Sequence, residues 1–174
     1  PPAKDATPHW PRISVTNRHM TDASSTPKNA TAIAGRPYLK MNGLGNAFII
    51  LDLREDPIKL DEEVIRKASS RQTGPGCDQF ITLEKRKGHE DVFMGVYNAD
   101  GSEVGACGNA ARCVAWLLME ECDANETQFS TLAGSLLARR VGEKRIAVDM
   151  GEPKFGWREI PLSEQMDDTR FVDI

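Results

Sequence analysis

The chain contains 174 residues, of which 40% are hydrophobic and 28% are charged, and its formal net charge is −4. This composition is typical of a soluble globular protein with one good-sized domain or two small ones. The acidic balance argues against a nucleic-acid partner, because nucleic acids bind basic surfaces. The sequence contains no run of about 18 apolar residues, so it predicts no membrane span. It also contains no segment typical of a signal peptide, and we therefore expect a cytoplasmic protein.

The cysteines and histidines do not form a metal-binding pattern. The four cysteines are Cys77, Cys107, Cys113 and Cys122, and no two of them have the Cys-x-x-Cys spacing of zinc or thioredoxin-like sites. The three histidines lie in polar segments. In a reducing cytoplasm the thiols stay free. We therefore expect neither a disulfide nor a metal site.

The N-terminal segment differs in composition from the rest of the chain. Residues 1–35 are rich in Pro, Ser, Thr, Ala and Asn and show neither helical nor strand periodicity, which predicts a disordered extension. From residue 36 the pattern predicts strands at residues 38–41 and 47–52, joined by a glycine turn. The turn is not a dinucleotide fingerprint, because Phe48 stands where the third glycine is required.

The next segments predict a helix and a hairpin. Residues 60–68 place acidic side chains first and basic ones last, as the helix dipole favours. The predicted buried stripe of this helix consists of Val64, Ile65 and Ala68. After a breaker rich in glycine and proline, strands at residues 80–84 and 92–97 flank a charged turn, which is typical of a hairpin.

The central feature of the sequence is a polar loop that leads into an apolar helix. Residues 109–119 contain neither Gly nor Pro and are apolar on nearly every face, which predicts a buried helix. Cys107 lies at the entrance of this helix, among unpaired N–H groups and the positive end of the dipole. A thiol there is more available as a reactive thiolate. The residues alone leave open an inert, buried cysteine.

The remainder of the chain adds short strands. Strands are predicted at residues 129–132, 135–141 and 145–150, and residues 151–174 look irregular and extended. Many short strands, one peripheral helix and one buried helix predict an α+β domain over residues 36–150. In this domain we expect a mixed, curved β-sheet wrapped around the central buried helix.

Four amide side chains recur at glycine-rich turns, namely Asn46, Gln79, Asn98 and Asn109. Because amides both donate and accept hydrogen bonds, they suit a ligand that carries an ammonium and a carboxylate group. A purely conformational role in the turns stays open. The backbone N–H groups of Gly108 and Asn109, at a helix N-terminus, are suited to bind a carboxylate.

A second cysteine and an arginine follow on the same helix. Six residues at about 100° each place Cys113 roughly 120° from Cys107 around the helix axis. We therefore expect a core role for Cys113, and we assign no catalytic role to Arg112.

Four motifs occur in a specific order along the chain. They are MNGLGNAF at residues 41–48, GPGCDQ at 74–79, NADGSE at 98–103 and CGNAARC at 107–113. Together they resemble the N-terminal half of diaminopimelate epimerase over about residues 38–174, whereas any one of them alone is a weak signal. The departures from the family pattern are Asn42, Ala47 and Ala110, and none of them replaces a matched functional residue.

The resemblance implies an isomerase that uses no pyridoxal phosphate or other cofactor and interconverts LL- and meso-2,6-diaminopimelate. It also implies that this chain forms one of two similar domains with the substrate between them, and that the complete protein is a homodimer. Two cysteines of the family act on opposite faces of the substrate, and Cys107 matches the one from the N-terminal domain. The matched substrate-binding residues are Asn46, Gln79, Asn98, Gly108 and Asn109, the last two at the α-carboxylate.

The sequence shows no second Cys-Gly motif after Met150. We interpret residues 151–174 as an extended segment that leads towards a second domain, and we expect this chain alone to be inactive. Three alternatives stay open: a related racemase or isomerase such as the phenazine-pathway isomerase, a non-catalytic amino-acid-binding fragment, and a thiol redox role for Cys107.

Overall fold

The structure is a computed structural model that describes residues 14–19, 33–85, 92–160 and 162–169, with side chains from residue 33 onwards. The charged turn predicted between residues 85 and 92 lies almost entirely outside these residues, as does most of the predicted N-terminal extension. Two helices and nine strands occur in the described ranges. In chain order they are β1 (Ser14–His19), β2 (Pro37–Gly43), β3 (Asn46–Asp52), α1 (Glu62–Ser69), β4 (Gln79–Lys85), β5 (Val92–Asn98), β6 (Glu103–Val104), α2 (Gly108–Cys122), β7 (Glu126–Thr131), β8 (Gly134–Gly142) and β9 (Arg145–Asp149).

All the described strands belong to one mixed sheet. Its order is β1-β2-β3-β4-β5-β7-β8-β9, and the short strand β6 pairs with β5. The β3–β4 and β5–β7 pairs are parallel, and the other pairs are antiparallel. Each parallel pair needs a long crossover, and the two helices supply them. Helix α1 connects β3 to β4, and helix α2 lies in the connection from β5 to β7.

Helix α2 lies inside the curve of the sheet. It packs against β2 near one end of the strand order and against β7, β8 and β9 at the other end. One helix reaches both ends of a sheet only if the sheet curls around it. The prediction of a curved sheet wrapped around a central helix is therefore confirmed. The fully or nearly fully buried side chains of α2 are Ala110, Ala111, Cys113, Val114, Ala115, Leu118 and Met119.

The opposite face of the sheet packs against helix α1. Its apolar cluster includes Ile49 and Phe80 from the sheet and the three predicted stripe residues of the helix. These three residues are Val64, Ile65 and Ala68, and all of them are buried. The Asp61 carboxylate caps the helix by accepting a hydrogen bond of 2.9 Å from the Val64 N–H, which satisfies one of the free N-terminal donors.

The predicted glycine turn joins β2 and β3 as a two-residue hairpin. Gly43 pairs with Asn46, and the two residues between them, Leu44 and Gly45, have φ values of 56° and 91°. Two consecutive positive φ values are the signature of the primed turns that match the twist of a hairpin. This turn sets the start of β3, and therefore the position of Asn46.

The structure departs from the predictions in the N-terminal segment and at the end of α2. Residues 14–19 form strand β1, antiparallel to β2, so the prediction of disorder is wrong for these six residues. The free edge of β2 offers a row of backbone partners that composition alone does not reveal. Helix α2 also continues past Met119 to Cys122 and ends at Asp123 in the left-handed conformation, with φ of 50°.

Beyond β9, residues 150–160 and 162–169 contain turns and bends but no helix or strand. The sequence predicted no membrane-spanning segment, and the two helices can be compared with the length that such a segment requires. Neither of the two described helices has the length and apolar content needed to cross a membrane.

Candidate active site

Three of the four amides predicted at turns lie at the terminal positions of strands, at one end of the sheet and on the face that packs against α2. Asn46 lies two residues before Phe48, Gln79 two before Ile81, and Asn98 two after Val96. Phe48, Ile81 and Val96 all belong to the core around α2. Because side chains on a strand repeat with period two, each amide continues the α2-facing row of its strand.

Cys107 lies at the same end of the molecule, as the N-cap of α2. Its backbone is extended, with φ of −142° and ψ of 115°, and its side chain makes no capping hydrogen bond. The first hydrogen bond of the helix runs from the Ala111 N–H to the Cys107 carbonyl at 2.8 Å. The N–H groups of Gly108 and Asn109 therefore have no acceptor within the helix. The thiol is half-buried, so it combines partial solvent access with the positive end of the helix dipole.

A hydrogen bond joins the helix to the start of β3. Asn109 Nδ2 donates to Asn46 Oδ1 at 2.6 Å, across 63 positions of the chain. Arg112 Nη2 in turn donates to Asn109 Oδ1. Gly43 makes the close approach of β2 to this end of the helix possible, because a Cβ there would lie 3.1 Å from the Asn109 carbonyl oxygen.

A second polar chain joins β4, β5 and the loop after β5. Gln79 and Asn98 are register partners, and Gln79 Nε2 donates to Asn98 Oδ1 at 3.2 Å. Asn98 Nδ2 donates to Ser102 Oγ at 3.2 Å, and Ser102 Oγ donates to Asp100 Oδ1 at 2.6 Å. The hydrogen bonds from Ser102 hold the pKa of the Asp100 carboxyl below its usual value.

Asp78 joins the starts of β3 and β4 by hydrogen bonds, and the sequence analysis did not assign it to the site. Asp78 Oδ2 accepts from the Ala47 N–H at 2.7 Å, and the Asp78 N–H donates to the Ala47 carbonyl at 2.8 Å. Arg71 holds the other carboxylate oxygen at 2.9 Å. Ala47 follows Asn46 and Asp78 precedes Gln79, so this clamp sets the relative position of two predicted site residues.

The other three cysteines differ from Cys107 in their surroundings. Cys113 is fully buried, as predicted, and burial raises the pKa of its thiol to about 12. Cys77 is buried and donates to Ser69 Oγ, and burial raises its pKa as well. Cys122 is exposed at the far end of α2. Thiols that stay protonated in the core are inert, so Cys107 is the candidate for chemistry at this end of the sheet.

Two hydrogen bonds join four of the predicted site residues in pairs, and the other two lie at the start of helix α2. Asn46 contacts Asn109, Gln79 contacts Asn98, and Cys107 and Gly108 lead into the helix that carries Asn109. Such a site offers amide donors and acceptors, backbone N–H groups and one thiol, which suits an amino-acid ligand. Among the residues that the structure describes, no group of three or more His, Cys, Asp or Glu side chains is placed to hold a metal ion.

Comparison with known proteins identifies the family. The model of the family described as "Diaminopimelate epimerase" matches residues 38–156, which is more than half of the chain. The chain belongs to the diaminopimelate epimerase family.

Individual relatives agree with this assignment. A diaminopimelate epimerase of Phenylobacterium zucineum is 47% identical over 144 residues, covering 83% of this chain and 51% of the relative. A diaminopimelate epimerase of Acidiphilium cryptum is 48% identical over 134 residues, covering 77% of this chain and 48% of the relative. The chain thus spans about half the length of the curated relatives it matches.

The match to solved structures is more distant. A crystal structure of the Bacillus anthracis phenazine biosynthesis protein of the PhzF family aligns with a TM-score of 0.44 and 19% identity. The alignment covers 78% of this chain and 40% of that one.

Proposed function

We propose that this chain supplies one half of a diaminopimelate epimerase active site, in which Cys107 transfers a proton at the Cα atom of the substrate. The observation that carries the proposal is the position of Cys107. It is a half-buried thiol at an uncapped helix N-terminus, at the end of the sheet where Asn46, Gln79 and Asn98 cluster. Membership of the family supports the same role.

Removal of a Cα proton creates negative charge that the site must stabilise. In the proposed step the Cys107 thiolate takes the proton and becomes a thiol, and the electron pair of the C–H bond delocalises into the α-carboxylate. The N–H groups of Gly108 and Asn109 donate to that carboxylate, so the charge develops against fixed donors at the positive end of α2. No cofactor takes part in this step.

Inversion at Cα needs a second acid on the opposite face, because a proton returned by Cys107 restores the starting configuration. We propose that this acid is a second thiol, supplied by a domain that follows the one described here, with residues 150–160 and 162–169 leading towards it. The 174-residue chain alone is then expected to give no epimerisation and at most a slow exchange of the Cα proton with solvent. The complete protein is expected to be a homodimer.

The decisive experiment compares two cysteine-to-serine variants in the protein made from the complete reading frame. Both Cys107→Ser and Cys122→Ser remove a thiol from an end of α2, but only Cys107 lies at the site. Proton NMR in D₂O follows both loss of the Cα–H signal of LL-diaminopimelate and formation of the meso isomer. Cys107→Ser should lower the rate by at least a factor of about 10² to 10⁴, as is typical for loss of a general base, and Cys122→Ser should retain the rate.

Three results contradict the proposal. If Cys107→Ser epimerises at the unsubstituted rate, Cys107 is not the acid/base group. If the unsubstituted protein binds LL-diaminopimelate in calorimetry but exchanges no Cα proton, the domain is a binding module. Ordinary turnover by the 174-residue chain alone would refute the need for a second domain.

A further inference from the structure

The two hydrogen-bonded chains of the site end on charged side chains of opposite sign. One chain runs from Arg112 through Asn109 to Asn46. The other runs from Asp100 through Ser102 and Asn98 to Gln79. An amide has two ends with opposite hydrogen-bonding character, and its orientation follows from its partners. The charged residue at the end of each chain therefore determines whether each amide presents its oxygen or its nitrogen to the next residue.

Asp100 determines the direction of the hydrogen bonds in the second chain, because a carboxylate only accepts hydrogen bonds. Ser102 has one hydroxyl proton, and it is used in the 2.6 Å bond to Asp100 Oδ1. The Ser102 oxygen can then only accept, so Asn98 presents Nδ2 to it and Oδ1 to Gln79. Gln79 must donate with Nε2. Its Oε1 atom is left as an acceptor, with no protein partner in the described part of the chain.

Arg112 determines the direction of the hydrogen bonds in the first chain, because a guanidinium only donates hydrogen bonds. Asn109 turns Oδ1 towards Arg112 and therefore Nδ2 towards Asn46. Asn46 accepts with Oδ1. Within the described residues its Nδ2 group is left as a donor without a protein partner.

The two unused amide groups lie close enough to bind one ligand. Gln79 is the register partner of Phe48 on the parallel strand β3, and Asn46 lies two residues before Phe48. A strand spacing of about 4.8 Å and a rise of about 6.6 Å for two residues separate their Cα atoms by roughly 8 Å. Both side chains lie on the face of the sheet that packs against α2.

We propose that Asp100 and Arg112 are positioning residues that set the polarity of the substrate-binding amides. Gln79 then accepts a hydrogen bond from an ammonium group of the ligand, and Asn46 donates one to a carboxylate. This inference rests on the proposed function, since it assigns a ligand group to each amide of the same site. It adds two specificity-determining side chains that do not themselves touch the ligand.

The test uses two symmetrical ligands, so that binding in either direction is equivalent. Cadaverine carries two ammonium groups and no carboxylate, and pimelate carries two carboxylates and no ammonium group. Their dissociation constants are measured by ligand-observed NMR titration of the protein made from the complete reading frame. Turnover of LL-diaminopimelate is measured separately.

Each charged residue should affect one ligand. Asp100→Ala removes the Oδ1 atom that accepts from both the N–H and the hydroxyl group of Ser102. The Ser102 hydroxyl can then donate to Asn98, so the amide groups of Asn98 and Gln79 can rotate by about 180°. We expect cadaverine to bind about tenfold more weakly and pimelate to change less than twofold, since one hydrogen bond to a charged group is lost. Arg112→Gln should show the reverse, and Arg112→Lys, which still only donates, should restore pimelate binding.

Matched controls make the same chemical changes elsewhere. Asp56→Ala alters an exposed residue that follows β3, at the end of the strand opposite Asn46. Arg139→Gln alters an exposed arginine on β8. Neither should change the affinity for either ligand by more than twofold.

The inference is overturned if Asp100→Ala or Arg112→Gln weakens the binding of both ligands equally, or behaves as its control does. It is also overturned if the unsubstituted protein binds neither ligand. Failure of the proposed function has a different signature. In that case LL-diaminopimelate is not epimerised, while the opposite preferences of the two variants for cadaverine and pimelate persist.

Discussion

The two ends of helix α2 handle their free backbone groups in different ways. At the N-terminus Cys107 provides no side-chain cap, and the N–H groups of Gly108 and Asn109 have no acceptor within the helix. At the C-terminus Asp123 adopts the left-handed conformation, and its N–H donates to the Met119 carbonyl. The Ala124 N–H also donates to that carbonyl, at 2.9 Å.

The charged side chains also differ between the two ends of α2. Glu120 and Glu121 lie in the last turn of α2, where the helix dipole disfavours carboxylates. Arg140 pairs with Glu120 at 2.7 Å, and Arg54 makes two bonds of 2.8 Å to Glu121. No acidic side chain occupies the first turn. The C-terminal end is thus bonded to residues of its own chain, whereas the N-terminal end keeps N–H groups without an acceptor in the helix.

The largest expected effect on folding comes from the C-terminal half of the helix. Met119 is fully buried, and Met119→Ala should lower the free energy of unfolding by about 3 kcal/mol, because it leaves a cavity. Urea unfolding followed by circular dichroism measures the change. Leu117→Ala, at a half-buried neighbour, is the control and should cost clearly less. Equal losses would show that the core around α2 is not packed as described.

The next effect concerns the ion pairs at the same end. Arg54 has 18% of its side chain exposed and bridges Asp52 and Glu121. Arg54→Met should lower the free energy of unfolding by about 1 to 2 kcal/mol, and less in 1 M salt, which screens the charges. Lys85→Met removes an exposed pair with Glu55 and should cost under about 0.5 kcal/mol. A loss independent of salt would indicate that packing, not charge, is the role of Arg54.

A pH effect on stability is expected from the buried cysteine in the middle of the helix. Burial raises the pKa of Cys113 to about 12, above about 8.5 for a free thiol. The folded state then keeps a proton that the unfolded state loses, so this stabilisation is complete below about pH 8.5 and declines as the pH rises towards 12. Between pH 7.5 and 9.5 the decline should be about 1 kcal/mol.

The Cys113→Ala variant provides the reference for that measurement. Its free energy of unfolding should fall less over the same pH interval, because the other titrating groups are unchanged. Denaturant titrations at three pH values give the two slopes. Identical slopes in both proteins would mean that the Cys113 thiol ionises equally in the folded and unfolded states.

The smallest expected effect on stability comes from a substitution that gives the N-terminus of α2 a capping side chain. Serine is a favoured N-cap and cysteine is not, so Cys107→Ser should raise the free energy of unfolding by about 0.5 to 1 kcal/mol. The same variant is expected to lose activity, which is the usual cost where a functional residue replaces a stabilising one. Cys122→Ser should leave the unfolding free energy unchanged. A destabilised Cys107→Ser would argue that the thiol is held by packing.

The elements of the domain could be predicted because their signals are local. The apolar run after Cys107 predicts the buried helix, and the stripe of Val64, Ile65 and Ala68 predicts the face of α1. Strand β1 could not be predicted in this way. Its residues 14–19 carry no strong periodicity, and they become a strand through pairing with the edge of β2.

The candidate site was only partly predictable. Asn46, Gln79, Asn98 and Asn109 stand out as amides at glycine turns, and the four ordered motifs connect them with Cys107. Asp78, Asp100 and Arg112 lie within the same motifs, but the sequence does not indicate which partners they contact. Asp78 bonds to Ala47 from 31 positions away, so its role depends on the pairing of β3 with β4.

The sequence by itself determined which residue types the site would hold, because turn formers, helix formers and apolar periodicity act over a few neighbouring residues. Only the tertiary structure decided which atom of each amide is used in a hydrogen bond to another residue. That orientation depends on a partner brought from far along the chain, as Asn109 is brought to Asn46 across 63 positions. Hydrogen-bond direction is a property of the assembled network, and no single residue carries it.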